Sequence, residues 1–126
     1  MIADLPSPRL ALAVDAALEK KAADVTVLDL RGLGAFTEYF LLCTGWSTPQ
    51  IHAIADEIDR RMKEKGVSRP HREGYAAADW VLLDYGEFVV HIFSEKARLY
   101  FDLERLWRAA PRIKITEPGP HQVATG

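Results

Sequence analysis

Apolar residues recur at helical spacing from Leu10 through Ala13, Val14, Ala17 and Leu18. Ser7-Pro8 in front of them supplies a cap and a first-turn proline, so the pattern predicts a helix over about 8–22. Residues 25–30, Val-Thr-Val-Leu-Asp-Leu, are β-branched and apolar and predict a first strand. A loop with two glycines, Gly32 and Gly34, follows. Residues 39–44 are apolar almost throughout, as in a central strand covered on both faces. A second helix is the clearest element. Ile51, Ile54, Ala55, Ile58 and Met62 share one face, Thr48-Pro49 opens it, Ser47 with Gln50 fits a capping box, and Gly66 closes it. Residues 67–78 read as irregular. Residues 80–85 and 88–93 read as two strands joined by a tight turn at Asp84-Tyr85-Gly86-Glu87. A third helix is predicted over about 95–107, and a flexible tail over 113–126 after a single domain of 1–112.

The predicted order, α-β-β-α-β-β-α, makes an α/β (α+β) fold on a mixed sheet. Both hairpin strands are apolar on nearly every residue and so carry two apolar faces. Three helices cover one such face well and hardly both. Apolar surface left over on a sheet marks an interface. Of the large aromatics Trp80, Tyr100, Phe101 and Trp107, the helical ones span more than one face, so not all turn inward.

Length and composition agree with one soluble globular domain: 126 residues, 48% hydrophobic and 27% charged. A net charge of -2 argues against a broad basic surface for naked nucleic acid. The one cysteine, Cys43, rules out an internal disulfide. No apolar run approaches the ~20 residues of a membrane helix, and the N-terminus lacks the apolar core of a secretory signal, so the expected compartment is the cytoplasm.

Candidate chemistry is sparse. Gly45-Trp46-Ser47 lies between a strand and a helix start, where backbone N–H groups could meet a phosphate. The plainer reading is a helix cap. Nucleotidyltransferases add an Asp-x-Asp pair for metal ions, and none occurs here; Asp79 and Asp84 are five apart. His52, His71, His91 and His121 show no ligand spacing, so no metal or cofactor is expected. His91 on an apolar strand reads as a core histidine, and Cys43 as a small core residue rather than a nucleophile. Glu73-Gly74 reads as a turn whose glycine permits positive φ.

Taken together, these residues resemble the Iojap-like ribosomal silencing factor family over about residues 9–111. The resemblance rests on Leu28-Asp29-Leu30, Thr37-Glu38-Tyr39-Phe40, Cys43-Thr44-Gly45, Ile54-Ala55-Asp56-Glu57 and Glu73-Gly74. Its most distinctive block is Asp79-Trp80-Val81-Leu82-Leu83-Asp84-Tyr85-Gly86 with Val89-Val90-His91, completed by Arg98 and Leu103-Glu104-Arg105-Leu106-Trp107. Trp46, Pro49, Lys96 and the order of Tyr100-Phe101 depart from the usual pattern.

The resemblance implies a nucleotidyltransferase-like fold without catalytic carboxylates and a homodimer when free. It implies binding to the large ribosomal subunit through its ribosomal protein number fourteen. Docked there, such a protein hinders joining of the small subunit and lowers translation when nutrients are scarce; roles in large-subunit assembly are also proposed for the family. Direct sequence-specific contact with nucleic acid, a membrane partner and enzymatic activity are not expected. The alternative is a nucleotidyltransferase-like, nucleotide-binding enzyme. By the same resemblance the ribosomal-protein-binding surface falls on Trp80, Asp84, Arg98, Phe101 and Glu104.

Overall fold

The computed structural model describes residues 5–115. In chain order the elements are α1 (Pro8–Glu19), β1 (Ala23–Asp29), β2 (Tyr39–Gly45), α2 (Thr48–Glu64), β3 (His71–Glu73), β4 (Trp80–Asp84), β5 (Phe88–Ser94), α3 (Glu95–Phe101), α4 (Leu103–Leu106) and β6 (Arg112–Lys114). The strands form one mixed sheet in the order β3-β4-β5-β2-β1-β6. Only the central pair, β2 with β5, is parallel. That pair is also the most buried, as the unbroken apolar runs of both strands require.

The two long helices start as their sequences dictate. Ser7 Oγ accepts from the Leu10 N–H (3.2 Å) with Pro8 in the first turn, and Ser47 Oγ accepts from the Gln50 N–H (3.2 Å). The Gln50 side chain does not complete a capping box on Ser47. Its Oε1 takes the Trp46 N–H instead, and its Nε2 donates to the Lys20 and Lys21 carbonyls, stitching α2 to the end of α1.

The sequence reading needs four further corrections. Helix α1 stops at Glu19 rather than near 22, because Lys21 turns left-handed (φ 65°) and the Ala22 N–H returns to the Ala17 carbonyl. This Schellman-type stop lacks the glycine that would announce it. Residues 71–73, expected to be irregular, add a short edge strand to β4. The third helix is not continuous to 107. It breaks at Asp102 (φ 46°, ψ 55°), which separates α3 from the single turn of α4. The domain boundary expected after residue 112 falls inside β6, where Ile113 and Lys114 pair with Val27 and Thr26. Beyond residue 115 the expected tail lies outside the described residues.

The two sheet faces are covered unequally. Both long helices lie on one face, over Val25, Val27, Leu41, Cys43, Val81, Leu83, Val90 and Ile92. An ion-pair cluster ties them together, with Arg61 bridging Asp15 and Glu19 of α1 and Glu57 of its own helix. The opposite face carries Leu28, Phe40, Leu42, Val89 and Phe93. Among the described residues it is closed by the short α3 and α4 and the turn after them, with Ala97, Leu103, Trp107 and Ala110. The apolar surplus read from the strands is met in this way, and what remains moves to the outside of the small helices. Leu99 is 78% exposed, Tyr100 80% and Leu106 72%.

Candidate docking surface

Alternation along β4 aims Val81 and Leu83 at the α1/α2 face, and Trp80, Leu82 and Asp84 at the face beneath α3. Trp80 stands opposite Phe93 of β5 and is half-buried. Its Nε1–H donates to His91 Nδ1 (3.0 Å), and its ring lies 5.2 Å from that of Phe93. Phe101, at the end of α3, leans onto Trp80 with ring centroids 4.4 Å apart and keeps 43% of its surface exposed. Tyr100 meets Phe101 edge-on at 5.0 Å. Between these rings and the loop after β3 runs an open groove of about 450 Å³, lined mainly by apolar atoms with Asp79 and Lys96 at its rim.

A glycine shapes one wall. Gly74 adopts φ 78°, and a Cβ there would sit 2.0 Å from the Trp80 carbonyl oxygen. The turn read at Glu73-Gly74 therefore needs glycine twice, for its conformation and for the closeness of the Trp80 backbone.

The structure sorts the five expected contact residues into three places. Trp80 and Phe101 form one aromatic unit. Arg98 and Glu104 form another, turned toward each other. Arg98 Nη2 donates to Glu104 Oε2 (2.7 Å), and Nη1 donates to Thr44 Oγ1 (3.0 Å) on β2. Burial pushes the Glu104 carboxyl up, but the Arg98 hydrogen bonds and charge more than offset this and hold it below the usual carboxylate range. Asp84 lies at the far end of β4, roughly 13 Å along the strand from Trp80. Its Oδ1 accepts from the Gly86 N–H (2.8 Å) and so opens the hairpin turn.

Elsewhere the candidate chemistry resolves into packing. Gly45 faces Ile51, and a Cβ there would lie 2.6 Å from the Ile51 side chain, so this glycine lets α2 approach β2. The neighbouring Trp46 N–H is already taken by Gln50. Cys43 is fully buried, which pushes its thiol up to about 12. His52 stacks on Tyr75 at 4.1 Å, and His71 pairs with Glu73 at 2.6 Å. His91 is buried, with its pKa lowered by that burial to about 4 and its Nε2 without a partner among the described residues. Among the described residues no three His, Cys, Asp or Glu side chains converge as a metal site would require. His121 lies outside them. No described helix is long and apolar enough to cross a membrane.

Sequence reasoning missed Lys96, Leu99 and Leu106 as surface features. Leu99 lies on the outer side of α3 and Leu106 at the end of α4, and an apolar residue within a helical segment carries no local signal that it will face outward.

A mixed α/β domain with an aromatic groove on its thinly covered face is the class that fold and geometry define. Comparison with known proteins gives the family. A sequence profile described as ribosomal silencing factor during starvation, RsfS, matches residues 4–125. The chain is 42% identical over 106 residues to the ribosomal silencing factor RsfS of Halalkalibacterium halodurans, covering 84% of this chain and 91% of that one. It is 37% identical over 100 residues to the chloroplastic protein Iojap of Zea mays, covering 79% of this chain and 43% of that longer protein. A crystal structure of a Chromobacterium violaceum protein superposes with a TM-score of 0.77 at 32% identity, covering 88% of each chain. One from Bacillus halodurans gives 0.74 at 40% identity, covering 84% of this chain and 96% of that one. The chain belongs to the ribosomal silencing factor family.

Proposed function

We propose that this chain silences translation by docking on the large ribosomal subunit, through its ribosomal protein number fourteen, and standing where the small subunit must join. The action is steric and requires no bond to be made or broken. The observation that carries the docking half is the Trp80–Phe101 groove. It places a rigid, half-buried indole beside an exposed phenyl ring on the face that carries the short helices α3 and α4. Aromatic anchors in such a patch contribute most to interface affinity, ~2 kcal/mol or more each. Arg98 and Glu104 serve the surface by holding α3 and α4 in place, and Asp84 sets its far edge.

The free protein is proposed to be a homodimer in the cytoplasm, a second copy covering Leu99, Tyr100 and Leu106 until the ribosome replaces it. The nucleotidyltransferase-like alternative has no support in the Gly45 turn, where side-chain packing and Gln50 occupy the space and the N–H that a phosphate would need.

The test is co-sedimentation with purified large subunits, followed by light-scattering measurement of subunit joining. Binding to large subunits with a dose-dependent loss of joining is expected. No co-sedimentation at low salt, or binding that leaves joining untouched, defeats the proposal.

A further inference from the structure

Charge is unevenly placed along this chain. Of its 16 lysines and arginines, six lie between Lys96 and Lys114, together with only two of its 18 carboxylates, Asp102 and Glu104. A net charge of -2 for the whole therefore conceals a cationic segment. The fold gathers most of it into one place. Alternation on β6 points Arg112 and Lys114 to the same side of the sheet, where they stand opposite Leu28 and Thr26 of β1. Arg105 and Arg108 come from α4 and the turn after it. Between them opens a cleft of about 490 Å³.

Two cations of this cleft are held internally. Arg98 is bound to Glu104, and Arg112 donates to the Glu104 carbonyl (2.9 Å). The other three, Arg105, Arg108 and Lys114, are exposed and make no ion pair or side-chain hydrogen bond with any described residue. Asp24 and Asp102 also line the cleft, and Glu104, the third carboxylate, is already neutralised by Arg98. The cleft thus offers unpaired cations to an anion of repeating charge. Guanidinium forks match phosphate oxygens in pairs, which makes arginine the preferred side chain for that ligand.

A second feature selects the kind of polyanion. Arg105 and Arg108 also form the wall of a neighbouring cleft of about 830 Å³ lined by Tyr100, Leu106 and Trp107. Cations beside aromatic rings are the arrangement that holds a single nucleic-acid strand, phosphates on one side and bases on the other. No Asn or Gln lines either cleft, so base edges find no amide to read them.

We infer that the α4–β6 cleft binds the phosphate backbone of single-stranded RNA through Arg105, Arg108 and Lys114, without regard to base sequence. The inference adds to the ribosome-docking reading a direct contact with ribosomal RNA beside the contact with protein.

The test is fluorescence anisotropy of a labelled twelve-nucleotide oligouridylate with the full chain, across a salt series. The variants are Arg105→Gln/Arg108→Gln/Lys114→Gln and, as a charge-matched control remote from both clefts, Lys63→Gln/Lys65→Gln/Arg69→Gln. The triple variant is expected to bind at least about tenfold more weakly. The slope of log affinity against log salt should shrink by about 2, at ~0.7 for each lost phosphate contact on a single strand. The Lys63→Gln/Lys65→Gln/Arg69→Gln control should bind the RNA nearly like the parent, and circular dichroism should find both variants folded. The inference is overturned by a parent that does not bind at about 50 mM salt, or by a triple variant that binds equally well. It is also overturned if polyglutamate or phosphatidylglycerol vesicles bind as tightly as the RNA, since an acidic protein or a membrane surface would then be the partner. RNA binding without co-sedimentation on large subunits would defeat the ribosome reading and leave this one standing; the reverse pattern would do the opposite.

Discussion

Arg98 and Glu104 meet at 2.7 Å across a break in the chain, with the left-handed Asp102 between them. On one continuous helix, side chains six positions apart point about 120° away from each other around the axis and do not pair. The break at Asp102 is what brings them together. Arg98 then reaches past Glu104 to Thr44 on the central strand β2, so one guanidinium ties α3, α4 and the sheet.

Removing either partner leaves a part-buried charge without its counterion. Glu104→Gln and Arg98→Ala are each expected to cost about 2–3 kcal/mol, read as a shift in the urea midpoint. Arg98→Ala should cost more, because Thr44 and Thr26 lose contacts as well. Glu104 adds a pH dependence of definite sign. Its folded pKa is depressed, so its stabilisation is present above the unfolded value of 4.5 and is lost as pH falls toward the folded one. A Glu104→Gln protein as stable as the parent at pH 7 would show that the pair does not hold these helices.

Trp80 and Phe101 touch, yet they should answer differently to truncation. Phe101 is at the surface of the groove, so Phe101→Ala is expected to cost less than about 1 kcal/mol of stability. It should weaken large-subunit binding at least about tenfold, the equivalent of ~1.4 kcal/mol. Trp80→Ala removes the donor to His91 and a ring packed on Phe93. It should cost about 3 kcal/mol of stability, with binding lost beyond what unfolding explains. Chemical denaturation and co-sedimentation on the same preparations separate the two effects. A folded Phe101→Ala protein that binds as tightly as the parent would move the docking surface elsewhere.

How far the sequence could be read varies by element, for physical reasons. Helix α2 was legible because a strong cap, a first-turn proline and one apolar face all agree. The hairpin was legible because β4 and β5 change to turn chemistry at Asp84 and Gly86. The break at Asp102 was not, since apolar residues continue at helical spacing on both sides and aspartate is an ordinary helix-surface residue; tertiary pairing of Arg98 with Glu104 overrides the local pattern. Trp80 and Phe101 could be named by resemblance, but their contact depends on a sheet register and a helix position that lie outside local spacing. The basic cleft was hidden because whole-chain charge averages it away, and because it forms only when β6 pairs with β1.

Gly74 provides a sharper test of how the groove is held. A methyl group there would meet the Trp80 carbonyl at 2.0 Å, and φ of 78° is itself costly for an L side chain by about 1–2 kcal/mol. The contact is with backbone, so neither side can rotate away. Gly74→Ala is expected to destabilise by about 3 kcal/mol or more and to displace β3 from β4. Hydrogen exchange should find the amides of residues 71–74 and 80–84 losing protection before those of β2. Unchanged protection in that hairpin would mean that the loop accommodates the methyl group.

His91 gives the fold a pH response in a window of its own. Its ring is buried beneath Trp80, whose Nε1–H it accepts at Nδ1, so the neutral ring carries its proton on Nε2. Burial lowers its pKa to about 4, against about 6.5 in the unfolded chain. Between these values the unfolded chain holds a proton that the folded one does not, so stability must fall as pH falls through the window and level off below it. The slope approaches ~1.36 kcal/mol for each unit only once the unfolded ring is mostly protonated, so the loss from pH 6.5 to 5 is about 1.6 kcal/mol. The depressed carboxylates Asp29, Glu57 and Glu104 begin to contribute only near and below pH 4.5, so pH 6.5 to 5 separates the histidine from them. His91→Gln keeps an acceptor for Trp80 and removes the titration. Urea denaturation at half-unit intervals should therefore find the parent losing about 1.6 kcal/mol over that range and the variant less than about 0.5. Parallel slopes for the two proteins would mean that water reaches His91 and that the core beneath Trp80 is open.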